Sequence, residues 1–278
     1  MIVNLKEVFK YAEEHKCAIG AFNTPTLEAI RAIIENAEEL NVPVIIAHAE
    51  LHEEFIPLDI IGPVMVDMAK KAKVPVCVHL DHGENIDYIH RALELGFTSV
   101  MYDGSRLPYE ENVKNTRTVV AFAKDFNATV EAEIGALAAR EGGERASTGP
   151  VYTEPSEAKR FVDDTGIDAL ACSFGTAHGI YKSKPKLDFE RIKIIRKLIE
   201  IPLVMHGGSG LPAEDYIQAM ECGVEKINYY TYMGRAGTYA AKKVMEKDEN
   251  LTFHRAAYAA YQGMKEDSLK AMKVFYKK

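Results

Sequence analysis

Residues 75–84 read Pro75-Val76-Cys77-Val78-His79-Leu80-Asp81-His82-Gly83-Glu84. The first six form a run rich in Val and Leu, the pattern of a strand buried on both faces. An acid and an imidazole, Asp81 and His82, stand together where the run ends. Two more histidines hold similar places. Ser173-Phe174-Gly175-Thr176-Ala177-His178-Gly179 follows the mostly apolar run Ile167 to Cys172, and Val204-Met205-His206-Gly207-Gly208-Ser209-Gly210 follows Ile201-Pro202-Leu203. Strand-end histidines of this kind meet only in a fold that gathers the ends of parallel strands at one mouth.

Outward from that stretch, apolar strand-like runs alternate with longer amphipathic ones along the whole chain. The strand candidates are Ala18–Phe22, Val44–Ala47, Val76–Leu80, Ser99–Tyr102, Thr129–Ile134, Ala169–Cys172, Leu203–Met205 and Lys226–Asn228. Between them the helical pattern falls on Thr26–Leu40, Leu58–Lys73, Ile86–Leu95, Tyr109–Phe126, Ser156–Thr165, Phe189–Leu198 and Ala213–Cys222. Thr26 and Glu28 suit a helix N-terminus, and Gly96, Gly166 and Gly223 precede the next strand. Eight alternations predict an α/β fold, a (β/α)8 TIM barrel formed by one domain over residues 1–278. An additional C-terminal helical segment starts at about residue 234 and exceeds the needs of one barrel helix. An open doubly wound sheet is the alternative, although no GxGxxG follows the first strand. The longest loop runs from Gly135 to Pro155 and contains Glu141-Gly142-Gly143-Glu144-Arg145. A loop of that length is either functional or a surface excursion.

Composition narrows the class. The chain has 278 residues and a net charge of −7 with both signs interspersed, which gives no basis for broad nucleic-acid binding. The four cysteines are scattered without a CxxC pair, and Cys77 and Cys172 sit inside apolar runs. A reducing compartment is therefore expected. There is no N-terminal apolar targeting run and no membrane-length apolar stretch, so a cytoplasmic location is expected.

Three neutral imidazoles with an open fourth position suit a catalytic zinc, and His82, His178 and His206 are the candidates. His79 lies inside its strand, where a packed core role fits better. The backbone N–H groups of Gly207-Gly208-Ser209-Gly210, with a helix starting near Pro212, form a candidate phosphate cradle beside Lys182. An ordinary tight turn explains the same glycines.

With those residues in place, the chain resembles the class II, zinc-dependent fructose/tagatose-bisphosphate aldolase family. The resemblance spans nearly the whole chain. Its carriers are Gly20-Ala21-Phe22-Asn23, Leu80-Asp81-His82, Tyr102-Asp103-Gly104-Ser105, Val130-Glu131-Ala132-Glu133-Ile134-Gly135, Gly175 to Lys182, His206 to Gly210 and Lys226-Ile227-Asn228. It implies a lyase that cleaves a ketose phosphate or bisphosphate reversibly to dihydroxyacetone phosphate and an aldehyde, through a zinc-stabilised enediolate. By the same resemblance His82, His178 and His206 ligate Zn2+, and Glu133 is a carboxylate that approaches the metal. Asp81 is the acid/base for the acceptor half, and Glu141 or Glu144 moves the α-proton. Gly179, Lys182, Gly207, Ser209 and Thr231 hold the phosphate of the ketone half. Asn23 and Gly208 belong to the same substrate site, and Asn228 contacts the enediolate. The resemblance further allows a second divalent or a monovalent cation near Gly179, Gly207 and Ser209. It also implies a homodimer or homotetramer.

Three places depart from the family pattern. A Ser expected after the second strand is Ala49, flanked by His48, Glu50 and His52. Tyr229-Tyr230-Thr231-Tyr232 replaces small or acidic residues, either as packing or as a reshaped pocket floor. An Arg for a second phosphate has no clear counterpart, since Arg255 is out of place. These positions leave the metal ligands and Asp81 intact, so the sequence predicts the aldolase chemistry more sharply than the sugar. A Schiff-base mechanism fits poorly, because Lys226 stands at the wrong end of its strand. Two other readings use the same residues: a zinc isomerase or epimerase (or a non-aldolase lyase) on another sugar phosphate, and a silent phosphosugar-binding protein.

Overall fold

The runs that predict strands do form strands, and these lie parallel in one closed ring. The computed structural model describes residues 1–135, 152–181 and 183–278. The first half holds β1 (Ile2–Val3), α1 (Leu5–His15), β2 (Ile19–Asn23), α2 (Leu27–Leu40), β3 (Val44–Ala49), α3 (Leu58–Lys71), β4 (Val76–Gly83), α4 (Ile86–Glu94) and β5 (Ser99–Tyr102). The second half holds α5 (Tyr109–Ala123), β6 (Thr129–Ile134), α6 (Pro155–Thr165), β7 (Ala169–Cys172), α7 (Phe189–Leu198), β8 (Leu203–Met205), α8 (Ala213–Glu221), β9 (Val224–Asn228), α9 (Thr231–Met245) and α10 (Phe253–Phe275).

Each strand from β2 to β9 pairs with the next, and β9 pairs with β2 through Ile19 and Lys226. That last pairing closes the ring as a (β/α)8 barrel and excludes the open doubly wound sheet. Residues of β2, β3, β6 and β7 are buried throughout, which is why their sequences do not alternate.

The apolar-run reading misses β1 and α1, which are short and precede the first long run. β1 pairs with Val76 and Cys77, the part of β4 that lies before β5 begins to pair at His79. α1 starts with a capping box in which Asn4 and Glu7 satisfy each other's backbone N–H groups. Its Leu5 N–H reaches Thr129 Oγ1 at the start of β6, and Lys6 pairs with Asp168 just before β7. With its further contacts to β2 and β9, α1 lies across the N-terminal mouth. The opposite mouth lies at the strands' C-terminal ends.

The C-terminal segment forms two helices. α10 packs on α2, α8 and α9 and so fills the outer layer between α2 and α8. Its end is bolted to β2: the Ala18 N–H donates to Phe275 O at 3.1 Å, and the Gly20 N–H to Tyr276 Oη at 3.0 Å. No helix among the described residues is long and apolar enough to cross a membrane.

One irregularity decides the site. In an extended strand, neighbouring side chains point to opposite faces, so Asp81 and His82 would diverge. β4 carries an extra residue against β5: Leu80 pairs with Val100, yet Gly83 pairs with Tyr102. His82 takes up this bulge with φ of 47°. That left-handed backbone costs a non-glycine residue about 1–2 kcal/mol. It turns Asp81 and His82 into the same mouth.

Candidate active site

Asp81 faces inward from β4 beside Ala49, its partner on β3. Its two carboxylate oxygens accept from Asn23 Nδ2 at the end of β2 (3.0 Å) and Asn228 Nδ2 at the end of β9 (3.1 Å). Burial alone would raise its pKa. His82, His206, Lys226 and His79 outweigh burial and hold it well below the usual carboxylate range. Asp81 is therefore an ionised base fixed by two amide donors.

The three strand-end histidines converge. Their ring centroids lie 4.6 Å apart for His82–His206, 5.0 Å for His82–His178 and 5.9 Å for His178–His206. One nitrogen from each falls within 4.8 Å of the others. Two acids orient the rings: His82 Nδ1 donates to Asp103 Oδ2 and His206 Nε2 to Glu131 Oε1, each at 2.8 Å. Asp103 is itself held by the N–H and Oγ–H of Ser105. These bonds place the ring protons on the outer nitrogens, so His82 Nε2 and His206 Nδ1 direct lone pairs at each other across 2.8 Å. Two bare lone pairs so close repel, and a proton or a metal cation between them removes the repulsion. Burial depresses both rings, but Asp81 and Asp103 raise His82 well above its ordinary value, while the His82 charge helps to keep His206 low. Three converging imidazole nitrogens, two of them with carboxylate-fixed tautomers, fit a divalent metal.

Beneath this triad the barrel interior is polar rather than filled with branched apolar residues. Lys226, fully buried, donates to Glu131 Oε1 at 3.2 Å and lies in ion-pair contact with Oε2 at 2.8 Å. Burial would raise Glu131, but Lys226 and His206 bring it down to about 2. His79 bonds Ser99 Oγ through Nδ1, and burial takes its pKa down to about 3. Its place inside the strand is thus a packed core position.

Glu133 belongs to a different grouping, with His82 and Asp103. Its Oε2 is buried and meets no hydrogen-bond partner among the described residues. Burial and the Asp103 charge push its pKa well above the usual range. It is therefore a neutral carboxyl, beside the histidine triad rather than within it.

The open side of the pocket is lined by Asn23, Asp81, His178, Gly179, Gly207, Ser209, Asn228, Tyr229, Tyr230 and Thr231. Ser209 Oγ accepts the N–H groups of Tyr230 (2.8 Å) and Thr231 (3.1 Å), which open α9. Gly208 N–H donates to Asn228 O, so the glycine turn is tied to β9. Gly207 has φ of 64°, and a Cβ there would lie 2.6 Å from the Ala177 backbone. Only glycine lets the His178 and His206 loops approach so closely. Tyr181 completes the join by accepting from Ala177 N and donating to Gly207 O at 2.8 Å.

Several sequence candidates fall elsewhere. Glu141, Glu144 and Lys182 lie outside the described residues. His48 pairs in register with Leu80, on the face opposite Ala49 and Asp81, and bonds Tyr88 Oη at 3.0 Å in the helical layer. Glu50 accepts the N–H groups of Glu84 and Asn85 and braces the start of α4. Arg255 is exposed near the start of α10 and does not line the pocket. Tyr229 packs on Phe22 and Phe275 and bonds Asp267, while Tyr230 lines the pocket and leans on His52 with ring centroids 5.2 Å apart. Tyr229 thus both packs and lines the pocket, and Tyr230 suits the pocket reading. Sequence reasoning assigned no role to Asp103, Glu131 or Lys226. For Asp103 the signal was available: it is an acid directly after a predicted strand.

Comparisons with known proteins agree with this geometry. Residues 3–278 match the family described as fructose-bisphosphate aldolase class-II. A 6-phospho-5-dehydro-2-deoxy-D-gluconate aldolase from Halalkalibacterium halodurans is 38% identical over 92% of this chain and 89% of its own. A fructose-bisphosphate aldolase from Geobacillus stearothermophilus is 39% identical over 90% and 88%. Among solved structures, the YdjI aldolase from Escherichia coli superposes with a TM-score of 0.87 at 33% identity, over 99% of this chain and 97% of that one.

Proposed function

The chain belongs to the class II fructose-bisphosphate aldolase family, a lyase family that is generally metal-dependent, and we propose that it cleaves a phosphorylated ketose to dihydroxyacetone phosphate and an aldehyde. The observation that carries this reading is the meeting of an ionised Asp81 with three converging histidines at one barrel mouth, where Asp81 and His178 line a pocket beside the N-terminus of α9.

In the cleavage direction Asp81 takes the hydroxyl proton of the acceptor half. The carbonyl that forms there releases the C–C bond, and the bonding electron pair stays with the ketone half. His82, His178 and His206 would hold a zinc ion, which would supply Lewis acidity to the ketone half. Asn23 and Asn228 hold the carboxylate, so that little reorganisation accompanies proton transfer. The Gly207–Ser209 turn and the positive end of the α9 dipole receive the phosphate and anchor the substrate away from the breaking bond. Returning a proton to the ketone half falls to Glu141 or Glu144.

The two curated relatives are named for fructose bisphosphate and for 6-phospho-5-dehydro-2-deoxy-D-gluconate, both phosphorylated ketones. Ala49 lies beside Asp81 and Tyr230 lines the pocket, so these positions meet the acceptor half. We assign to this chain an acceptor that lacks the second phosphate, or a ketose other than fructose. Cleavage of fructose 1,6-bisphosphate at a rate ordinary for the family contradicts that assignment. The protein is proposed to act in the cytoplasm as a homodimer or homotetramer, which light scattering tests for size.

The donor half is tested first, by NMR of dihydroxyacetone phosphate in deuterated water with and without a chelator. Chelator-sensitive loss of the exchangeable carbon-bound proton signal is expected. A folded, zinc-loaded protein that leaves the signal unchanged refutes the reading. Products then separate the alternatives, because an epimerase yields no three-carbon fragment.

A further inference from the structure

The mechanism leaves one fully buried charged group without a task, Lys226. It projects into the barrel beneath the mouth, with no exposed side-chain surface. Its ammonium spans both oxygens of Glu131, at 2.8 Å to Oε2 and 3.2 Å to Oε1. Glu131 Oε1 in turn accepts from His206 Nε2 at 2.8 Å, and His206 Nδ1 faces His82 Nε2. An unbroken chain of contacts thus runs from the lysine to the point where the histidines converge.

We propose that Lys226 is a positioning residue: by holding Glu131 in one orientation it fixes the His206 tautomer, and so keeps His206 Nδ1 free to bind a divalent metal. This rests on the reading of His82, His178 and His206 as the metal-binding set. An ammonium has three donors and no acceptor, so it must face lone pairs, here those of Glu131. Anchored on both oxygens, the Glu131 carboxylate turns one lone pair on Oε1 toward His206. A carboxylate offers acceptors alone, which obliges His206 Nε2 to carry the proton. The other ring nitrogen is then a bare acceptor aimed at His82. Lys226 does not line the pocket. It acts through Glu131 and not on the substrate.

The chain of donors and acceptors makes an uncommon prediction for Glu131→Gln. With Lys226 in place, the ammonium draws the new amide oxygen, and the NH2 group turns to His206 Nε2. Two donors cannot face each other, so His206 moves its proton to Nδ1, the position that the metal needs. Zinc affinity is expected to fall by about 100-fold, the upper range for loss of a group that orients a metal ligand. Adding Lys226→Met frees the amide to turn its oxygen to His206. The double variant Lys226→Met/Glu131→Gln, which buries no unpaired charge, is expected to regain about tenfold and to stay about tenfold below wild type.

Zinc affinity of the wild type and both variants, measured by chelator competition, decides the matter. A double variant that binds zinc no tighter than Glu131→Gln, or as tightly as wild type, overturns the role of Lys226. If Glu131→Gln does not fold, the comparison of double variant and wild type still decides, with a second readout from the His206 ring. Nitrogen-15 NMR of the zinc-free proteins is expected to give the Nε2–H tautomer in wild type and a mixture in the double variant. A single Nε2–H tautomer in both overturns the proposal. A wild type that takes up no divalent metal sinks the metal reading instead, and the tautomer measurement still tests Lys226.

Discussion

Replacing Asp81 by Asn separates the two halves of the proposed reaction. The side chain keeps its size and loses its charge. The carboxylate receives two amide donors, one on each oxygen, at 3.0 and 3.1 Å. An amide at position 81 has one acceptor oxygen, so Asn23 or Asn228 must face an NH2 group or turn over. Leaving one buried donor unmatched costs about 1–3 kcal/mol. For a chain of this size each kcal/mol lowers Tm by about 2–4 °C, so the variant stays folded at 25 °C.

The chemical loss is larger. Removing a positioned base slows a proton transfer by about 10²–10⁴-fold, which is roughly 3–5 kcal/mol at 1.36 kcal/mol per tenfold. The kcat for cleavage is expected to fall by that factor. Exchange of the dihydroxyacetone phosphate proton does not use Asp81 and is expected to stay within about tenfold of wild type, since a different general base serves that step. A coupled triose assay reads the first quantity and NMR in deuterated water the second. Parallel loss of both, with zinc still bound, refutes the assignment of Asp81 to the acceptor half. Cleavage at the wild-type rate refutes its role as a base.

Three further outcomes are expected. Ser209→Ala removes the acceptor of the Tyr230 and Thr231 N–H groups, so steady-state kinetics should show KM for the ketose phosphate rising about tenfold, with about 1 kcal/mol lost from the α9 start. Gly207→Ala forces a Cβ to within 2.6 Å of the Ala177 backbone at φ of 64°, so the His178 and His206 loops must part; thermal melts should show a loss of more than about 1–2 kcal/mol and chelator competition a weaker metal site. Glu133 has a raised folded pKa, through burial and then Asp103, so its contribution is present below the unfolded value near 4.3 and is lost as pH rises toward the folded one. Glu133→Gln has no proton to retain, and in the zinc-free protein its Tm advantage over wild type should grow as pH rises above about 4.3; a pH-independent difference contradicts the assignment.

The barrel was legible because period and burial leave marks in the sequence. Ser99–Tyr102, Thr129–Ile134, Ala169–Cys172 and Leu203–Met205 form strands with the bounds that their apolar runs predict. β1 was not legible, since two residues carry no period. Facing was the harder question. Ala47-His48-Ala49-Glu50 reads as a polar cluster near the substrate, but alternation sends His48 to the helical layer, and the turn after β3 gives Glu50 to the backbone of α4. The converging histidines could be named from their strand ends, whereas the bulge that brings His82 inward had no sequence signal. Histidine adopts a left-handed backbone more often than most non-glycine residues but still uncommonly, and nothing before His82 marks one.

The Glu131–Lys226 pair lies further still from sequence reasoning, for its members are 95 positions apart and meet only when β6 and β9 curve round the same interior. Stability does not explain the pair. Desolvating two charges commonly offsets their attraction, and apolar residues of similar size often serve a core as well or better. Most barrels fill this layer with branched apolar side chains. What an apolar filling cannot do is present an acceptor to His206 Nε2. Glu131 alone would do so only as a buried carboxylate with no counter-charge, which would take up a proton and become a donor on one oxygen. Lys226 keeps it ionised and therefore an acceptor on both. The layer beneath the mouth is charged because the histidine above it must hold its proton on one nitrogen and leave the other bare.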